Sequence, residues 1–88
     1  MKPKFSAETL RQTMLRMVEE RGPDKTVCPS EVARALAGSN EKEWRLLMQP
    51  IRQEAVRLAE AGNLVIKRKG KPLAPADLKG IYRLAPKA

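Results

Sequence analysis

Apolar residues recur at helical spacing through most of the chain and alternate near its end. Ala7, Leu10, Met14, Met17 and Val18 share one face of a helix predicted from Ala7 to Arg21. Ser6 supplies an N-cap, Glu8 sits in the first turn, and Gly22-Pro23 ends the helix. Arg11, Gln12, Arg16, Glu19 and Glu20 lie mostly off that face and are expected in solvent. Asp24 to Val27 is a connection with room for a very short strand. A second helix is predicted from Pro29 to Ala37: Cys28 is its N-cap, Pro29 takes the first helical position, and Glu31 stands where a capping-box acid belongs. Val32, Ala33 and Leu36 face inward and Gly38 closes it.

The third helical region, Glu41 to Ala61, is the longest. Asn40 is its N-cap, and Trp44, Leu47, Met48, Ile51, Ala55, Leu58 and Ala59 form one stripe. Pro50 interrupts it, because proline removes a helical hydrogen bond and disfavours helical geometry in the residue before it. A short helix to Met48, a kink or tight turn, and a second helix from Gln49-Pro50 follow. Trp44 is expected to anchor this region to the other two helices. Gly62-Asn63 stops it. Asn63 to Arg68 is β-branched and weakly alternating, Lys69 to Lys79 reads as a loop with one helical turn at Ala76-Asp77-Leu78, and Gly80 to Leu84 alternates with period two. The two strands are expected to pair antiparallel.

The fold class that follows is mainly α with a small β-hairpin, in the order of a winged helix-turn-helix: a three-helix core and a two-stranded wing in a single domain of 88 residues. Residues 1–5 and 85–88 are expected to be loose tails.

Charge changes this picture most. Residues 1–44 hold 8 Lys and Arg against 7 acids, a net of +1, whereas residues 45–88 hold 10 against 3, a net of +7. The densest run, Lys67-Arg68-Lys69-Gly70-Lys71, falls at the tip of the predicted wing. Four cations in five residues repel one another unless a partner relieves them. Edge-strand protection by lysine explains part of such a run but less easily all of it. Nucleic acid is the partner the asymmetry suggests first.

A resemblance points the same way as to fold. Cys28-Pro29-Ser30-Glu31-Val32-Ala33-Arg34 followed by Trp44-Arg45-Leu46-Leu47-Met48, Ile51-Arg52, Ala55, Leu58, Gly62, Lys67-Arg68-Lys69-Gly70 and Lys79-Gly80-Ile81-Tyr82-Arg83-Leu84 resembles a bacterial family of small proteins of unknown function with a winged-helix fold. The likeness covers nearly the whole chain. It implies the fold and carries no activity or functional residues. In that family a proline often follows the glycine of the last strand, where this chain has Ile81.

The chemistry available is narrow. There is no histidine and a single cysteine, so a His-based general base, a zinc site of the usual type and an internal disulfide are all out of reach. Neither GxxxxGK[ST] nor GxGxxG occurs. The few carboxylates are scattered, so no enzyme, cofactor or metal is expected. Three aromatics, Phe5, Trp44 and Tyr82, are too few for a platform that stacks several bases. No run reaches the length of a membrane span and no apolar signal stretch follows Met1-Lys2-Pro3-Lys4, so a cytoplasmic protein without membrane contact is expected. Cys28 at a helix N-terminus has the setting for a lowered thiol pKa but no second cysteine to resolve an oxidised state. Arg34 and Arg45 are expected to pair with Glu31 or Glu41.

Two sets of residues are candidates for binding double-stranded DNA. On the third helix, Gln49, Gln53 and Arg57 lie opposite the apolar stripe with Arg45 and Arg52 flanking them, and Arg and Gln are side chains that pair with guanine and adenine edges. Glu60, on the same face, counts against this. On the wing, Lys67, Arg68, Lys69 and Lys71 suit phosphates. The expected function is that of a small regulator or accessory factor with the third helix in a groove and the wing on the backbone. The chain devotes no extra helix to dimerisation, so tight site-specific binding calls for a protein partner or weak homodimerisation. The competing expectation is a protein-interaction module, because winged helices also serve as docking domains.

Overall fold

The computed structural model of the chain describes residues 5–87. Four helices precede a small sheet: α1 (Ala7–Arg21), α2 (Pro29–Ala37), α3 (Glu41–Trp44) and α4 (Met48–Glu60), then β1 (Leu64–Arg68), β2 (Lys71–Pro72) and β3 (Arg83–Pro86). This mainly helical chain with an antiparallel sheet is compatible with a winged-helix-like fold.

Local signals set the helix ends. The Ser6 hydroxyl accepts from the Thr9 N–H at 3.1 Å, and Glu31 Oε1 accepts from the Cys28 N–H at 3.4 Å, as a capping-box acid does. The break expected at Gln49-Pro50 comes earlier: α3 ends at Trp44, short of the expected Met48, a 3-10 turn spans Arg45–Leu47, and Met48 already opens α4. Proline thus occupies the first turn of α4, where its missing N–H would have had no intrahelical partner. At the far end Gly62 (φ +78°) lets the Asn63 N–H reach the Leu58 carbonyl at 2.9 Å.

Leu10, Met14 and Val18 of α1, Val32 and Ala33 of α2, and Ile51, Ala55 and Leu58 of α4 pack with Leu64, Ile66 and Leu84 of the sheet into one core. Trp44 lies at its margin, half-buried, with the Arg34 guanidinium 5.8 Å from its ring centroid. Arg34 therefore faces the indole. Glu31 binds Arg21 across the α1–α2 junction, and that guanidinium holds its carboxyl below the usual carboxylate range. Arg45 does pair with Glu41, at 3.6 Å.

The sheet corrects the expected two-stranded wing. It has three strands in the order β2-β1-β3. The added strand, Lys71–Pro72, comes from the segment read as loop. It pairs Arg68 with Lys71 across a two-residue turn, too short to alternate visibly in sequence. The last strand begins at Arg83, later than the expected Gly80, because Leu84 is tied to Val27 in both directions (Val27 N–H to Leu84 O, 2.7 Å; Leu84 N–H to Val27 O, 2.8 Å) while aligned with Ile66. The helical turn of the loop is a 3-10 turn at Pro75–Asp77. The expected loose ends are also shorter: Phe5 packs against the core, and Ala85 is buried within β3. Met1 to Lys4 and Ala88 lie outside the described residues.

Candidate nucleic-acid interface

The sheet concentrates the positive charge of the chain. On β1, Leu64 and Ile66 point into the core, so Val65 and Lys67 take the other face, and Arg68 runs past the core edge. Register then sets cations opposite cations: Lys67 faces Arg83 across the β1–β3 ladder, and Arg68 faces Lys71 across β1–β2. Like charges directly opposite on a sheet destabilise it. Among the described residues no carboxylate lies within ion-pair distance of Lys67, Lys69 or Lys71.

The turn that joins these strands is Lys69-Gly70, with φ of +53° and +79°. Two positive φ values in a two-residue hairpin loop are the mark of a type I′ turn, which favours Asn-Gly or Gly-Gly. Lys69 is the one non-glycine residue with positive φ among those described. A lysine there carries backbone strain that glycine would not. The hairpin tip thus keeps a cation at a conformational cost.

On α4, Gln49, Gln53 and Arg57 are all exposed at i, i+4 and i+8, so they form one outward row. Arg57 is tethered from behind: its Nη1 lies 3.3 Å from Glu54 Oε2, and the Arg11 Nη1 of α1 donates to Glu54 Oε1 at 2.7 Å. Glu54 is 5% exposed. One buried carboxylate therefore serves two guanidinium groups, and Arg11, expected in solvent, is half-buried in this bridge. Arg45 is exposed in the 3-10 turn, paired to Glu41.

Arg52 and Arg68 are engaged otherwise than as free readers. Arg52 is half-buried and its Nη2 donates to the Leu78 carbonyl at 2.9 Å; Arg68 Nη1 donates to the next carbonyl, Lys79 O, at 3.0 Å. The Leu78–Lys79 segment consequently links α4 to the basic hairpin. Sequence reasoning missed Lys79 and Arg83 as members of this basic region, although Arg83 is engaged: its Nε donates to Thr26 Oγ1 and its Nη2 to the Thr26 carbonyl at 3.4 Å. Period-two alternation placed Arg83 on a strand but could not show that it stands opposite Lys67.

Other chemistry is sparse. Among the described residues no three His, Cys, Asp or Glu side chains lie together as a metal site would need, and no helix is long and apolar enough to cross a membrane. Cys28 Sγ lies 3.1 Å from Ser30 Oγ, a local contact at the start of α2.

Fold and surface together define a small basic α/β domain with a wing-like sheet. The chain belongs to the family of proteins of unknown function DUF3253, whose pattern matches residues 7–86. No curated protein matches it.

Proposed function

We propose that the chain is a winged-helix domain that binds double-stranded DNA without catalysing a reaction, acting as a small cytoplasmic regulator or accessory factor. Its wing, through Lys67, Lys69 and Lys71, takes the phosphate backbone, and the outward row Gln49, Gln53 and Arg57 of α4 faces a groove. The supporting observation is the hairpin tip. Lys67 and Lys71, with no carboxylate in ion-pair range, stand opposite Arg83 and Arg68 across the strands, and Lys69 holds a left-handed conformation that a glycine would adopt without strain. A polyanion relieves the repulsion, and release of its counterions supplies the binding free energy.

Binding of a labelled random duplex, followed by fluorescence anisotropy at two salt concentrations, tests this reading. Affinity should be micromolar and fall by roughly 0.9 log units per log unit of salt for each phosphate neutralised. Replacing Lys67, Lys69 and Lys71 together by alanine should flatten that slope by roughly 2 to 3 and remove most of the affinity, with the circular dichroism spectrum unchanged. Unaltered binding by the triple variant rules out the wing as the phosphate contact.

One observation favours the second reading, a protein-docking module: Leu46, in the turn between α3 and α4, is 74% exposed. A chain that fails to bind duplex at low salt despite its net charge of +8 belongs to that class.

A further inference from the structure

Between the 3-10 turn at Pro75–Asp77 and β3 the backbone has no regular partner, yet it is held at several points. Leu78 and Tyr82 are both buried and anchor its two ends. Between them, the carbonyls of Leu78 and Lys79 accept from two arginines on different elements, Arg52 of α4 and Arg68 of β1. Charge-assisted bonds of this kind are stronger than neutral ones. Gly80 then turns the chain with φ +72°, a conformation that suits glycine, and packs against the Arg68 guanidinium.

What this pinned loop displays is Ile81, 85% exposed. A single exposed aliphatic residue is ordinary on a mobile loop. Here it is fixed in water by two buried anchors and two arginines, so little conformational entropy remains to be lost when something covers it. Its neighbours in the chain and across the clamp include Lys79, Arg52 and Arg68, while the Arg83 guanidinium, two residues on, is bonded to Thr26. An aliphatic tip next to Lys79 on a loop held by two arginines fits a polyanion that also offers apolar surface. A nucleic-acid groove does so, through its sugars, base faces and thymine methyl groups. Continuity with the hairpin tip favours that partner, since Arg68 belongs to both.

We infer that the Leu78–Tyr82 loop is a third contact of the DNA interface: Ile81 packs on apolar groove surface, Lys79 takes a neighbouring phosphate, and Arg52 and Arg68 are positioning residues that hold the loop out. The inference rests on the DNA reading proposed above.

The same anisotropy titration separates the two. If the wild-type chain binds duplex with a steep salt dependence, I81S should bind roughly tenfold more weakly with the salt slope unchanged, the scale expected for one aliphatic contact. Its melting temperature should equal the wild type's, because the side chain is in solvent. K79Q keeps the main-chain carbonyl that Arg68 holds, and should lower the salt slope by roughly 0.9. In an R68Q background the I81S penalty should shrink to under about threefold, since residues that act through one another are not additive. Wild-type duplex affinity in I81S overturns the loop contact and leaves the DNA reading standing; this is also the outcome expected if the loop docks an acidic peptide instead. An I81S penalty undiminished by R68Q overturns the positioning role. Absence of duplex binding by the wild type removes both proposals.

Discussion

The Tyr82 hydroxyl is buried with no hydrogen-bond partner among the described residues, and burial pushes its pKa up to about 12. Ionisation is therefore harder in the folded state than in the unfolded chain, where a phenol titrates near 10. A group whose folded pKa is raised contributes stability that is complete below the unfolded value and is lost as pH rises towards the folded one. The expected outcome is alkaline destabilisation between about pH 10 and 12 that Y82F reduces. Because Tyr82 is the only tyrosine, absorbance of the phenolate reports it alone, and a native-state midpoint near 10 would contradict its burial. At neutral pH, Y82F should leave stability unchanged or raise it by up to about 1 kcal/mol, since it deletes an unpaired polar atom. This scale was the least legible in sequence. Helical spacing put Arg11 on the solvated side of α1, and nothing local could show that Glu54, 43 residues away, would be buried against it. Arg52 and Arg68 likewise look like free cations until the carbonyls they reach are known.

Elements were more legible, and the reason is local chemistry. α1 and α2 run between the residues that spacing, Ser6, Cys28, Pro29, Gly22 and Gly38 mark out, because those caps and breakers act within one turn of chain. Pro50 signalled a break in the third helical region but not its place, which is Arg45–Leu47, because proline is tolerated in the first turn of α4. β2 and the start of β3 were not legible because pairing partners, not propensity, fix them: Lys71–Pro72 exists as a strand only against Lys67 and Arg68, and β3 starts where Val27 and Ile66 align Leu84. The turn between β1 and β2 carries its own prediction. K69G replaces a strained residue by one at ease at φ +53° and removes a charge that faces other cations. It should stabilise the domain by about 0.5–1 kcal/mol in a denaturant titration. Yet the same variant should bind duplex DNA more weakly and with a smaller salt slope, because the lost charge is a phosphate contact. A substitution that improves stability while lowering affinity would show that the strain at Lys69 is kept for binding. Tighter or equal binding by K69G would assign the turn a purely structural role.

At the scale of the whole molecule, charge and fold pull against each other. The net +8 is carried almost entirely by residues 45–88, which include the sheet and α4. The five ion pairs among the described residues draw on Glu20, Glu31, Glu41 and Glu54, and only Glu54 comes from that basic half. Three of the five leave at least one partner well exposed, where a pair contributes little. Repulsion among the remaining cations should therefore outweigh attraction in the electrostatic part of stability. Added salt screens both, with a Debye length falling from roughly 30 Å at 0.01 M to 8 Å at 0.15 M. For most domains held by surface pairs that change is neutral or unfavourable. Here it should raise the melting temperature, by roughly 4–8 °C if the relieved repulsion is about 1 kcal/mol. The alanine variant of Lys67, Lys69 and Lys71 should melt higher than the wild type at low salt and respond less to added salt. Scanning calorimetry of both chains at the two ionic strengths decides the matter without reference to any ligand. A melting temperature that falls with salt would mean that the cations of the hairpin are already compensated within the fold, and would take away the physical reason for a polyanion partner.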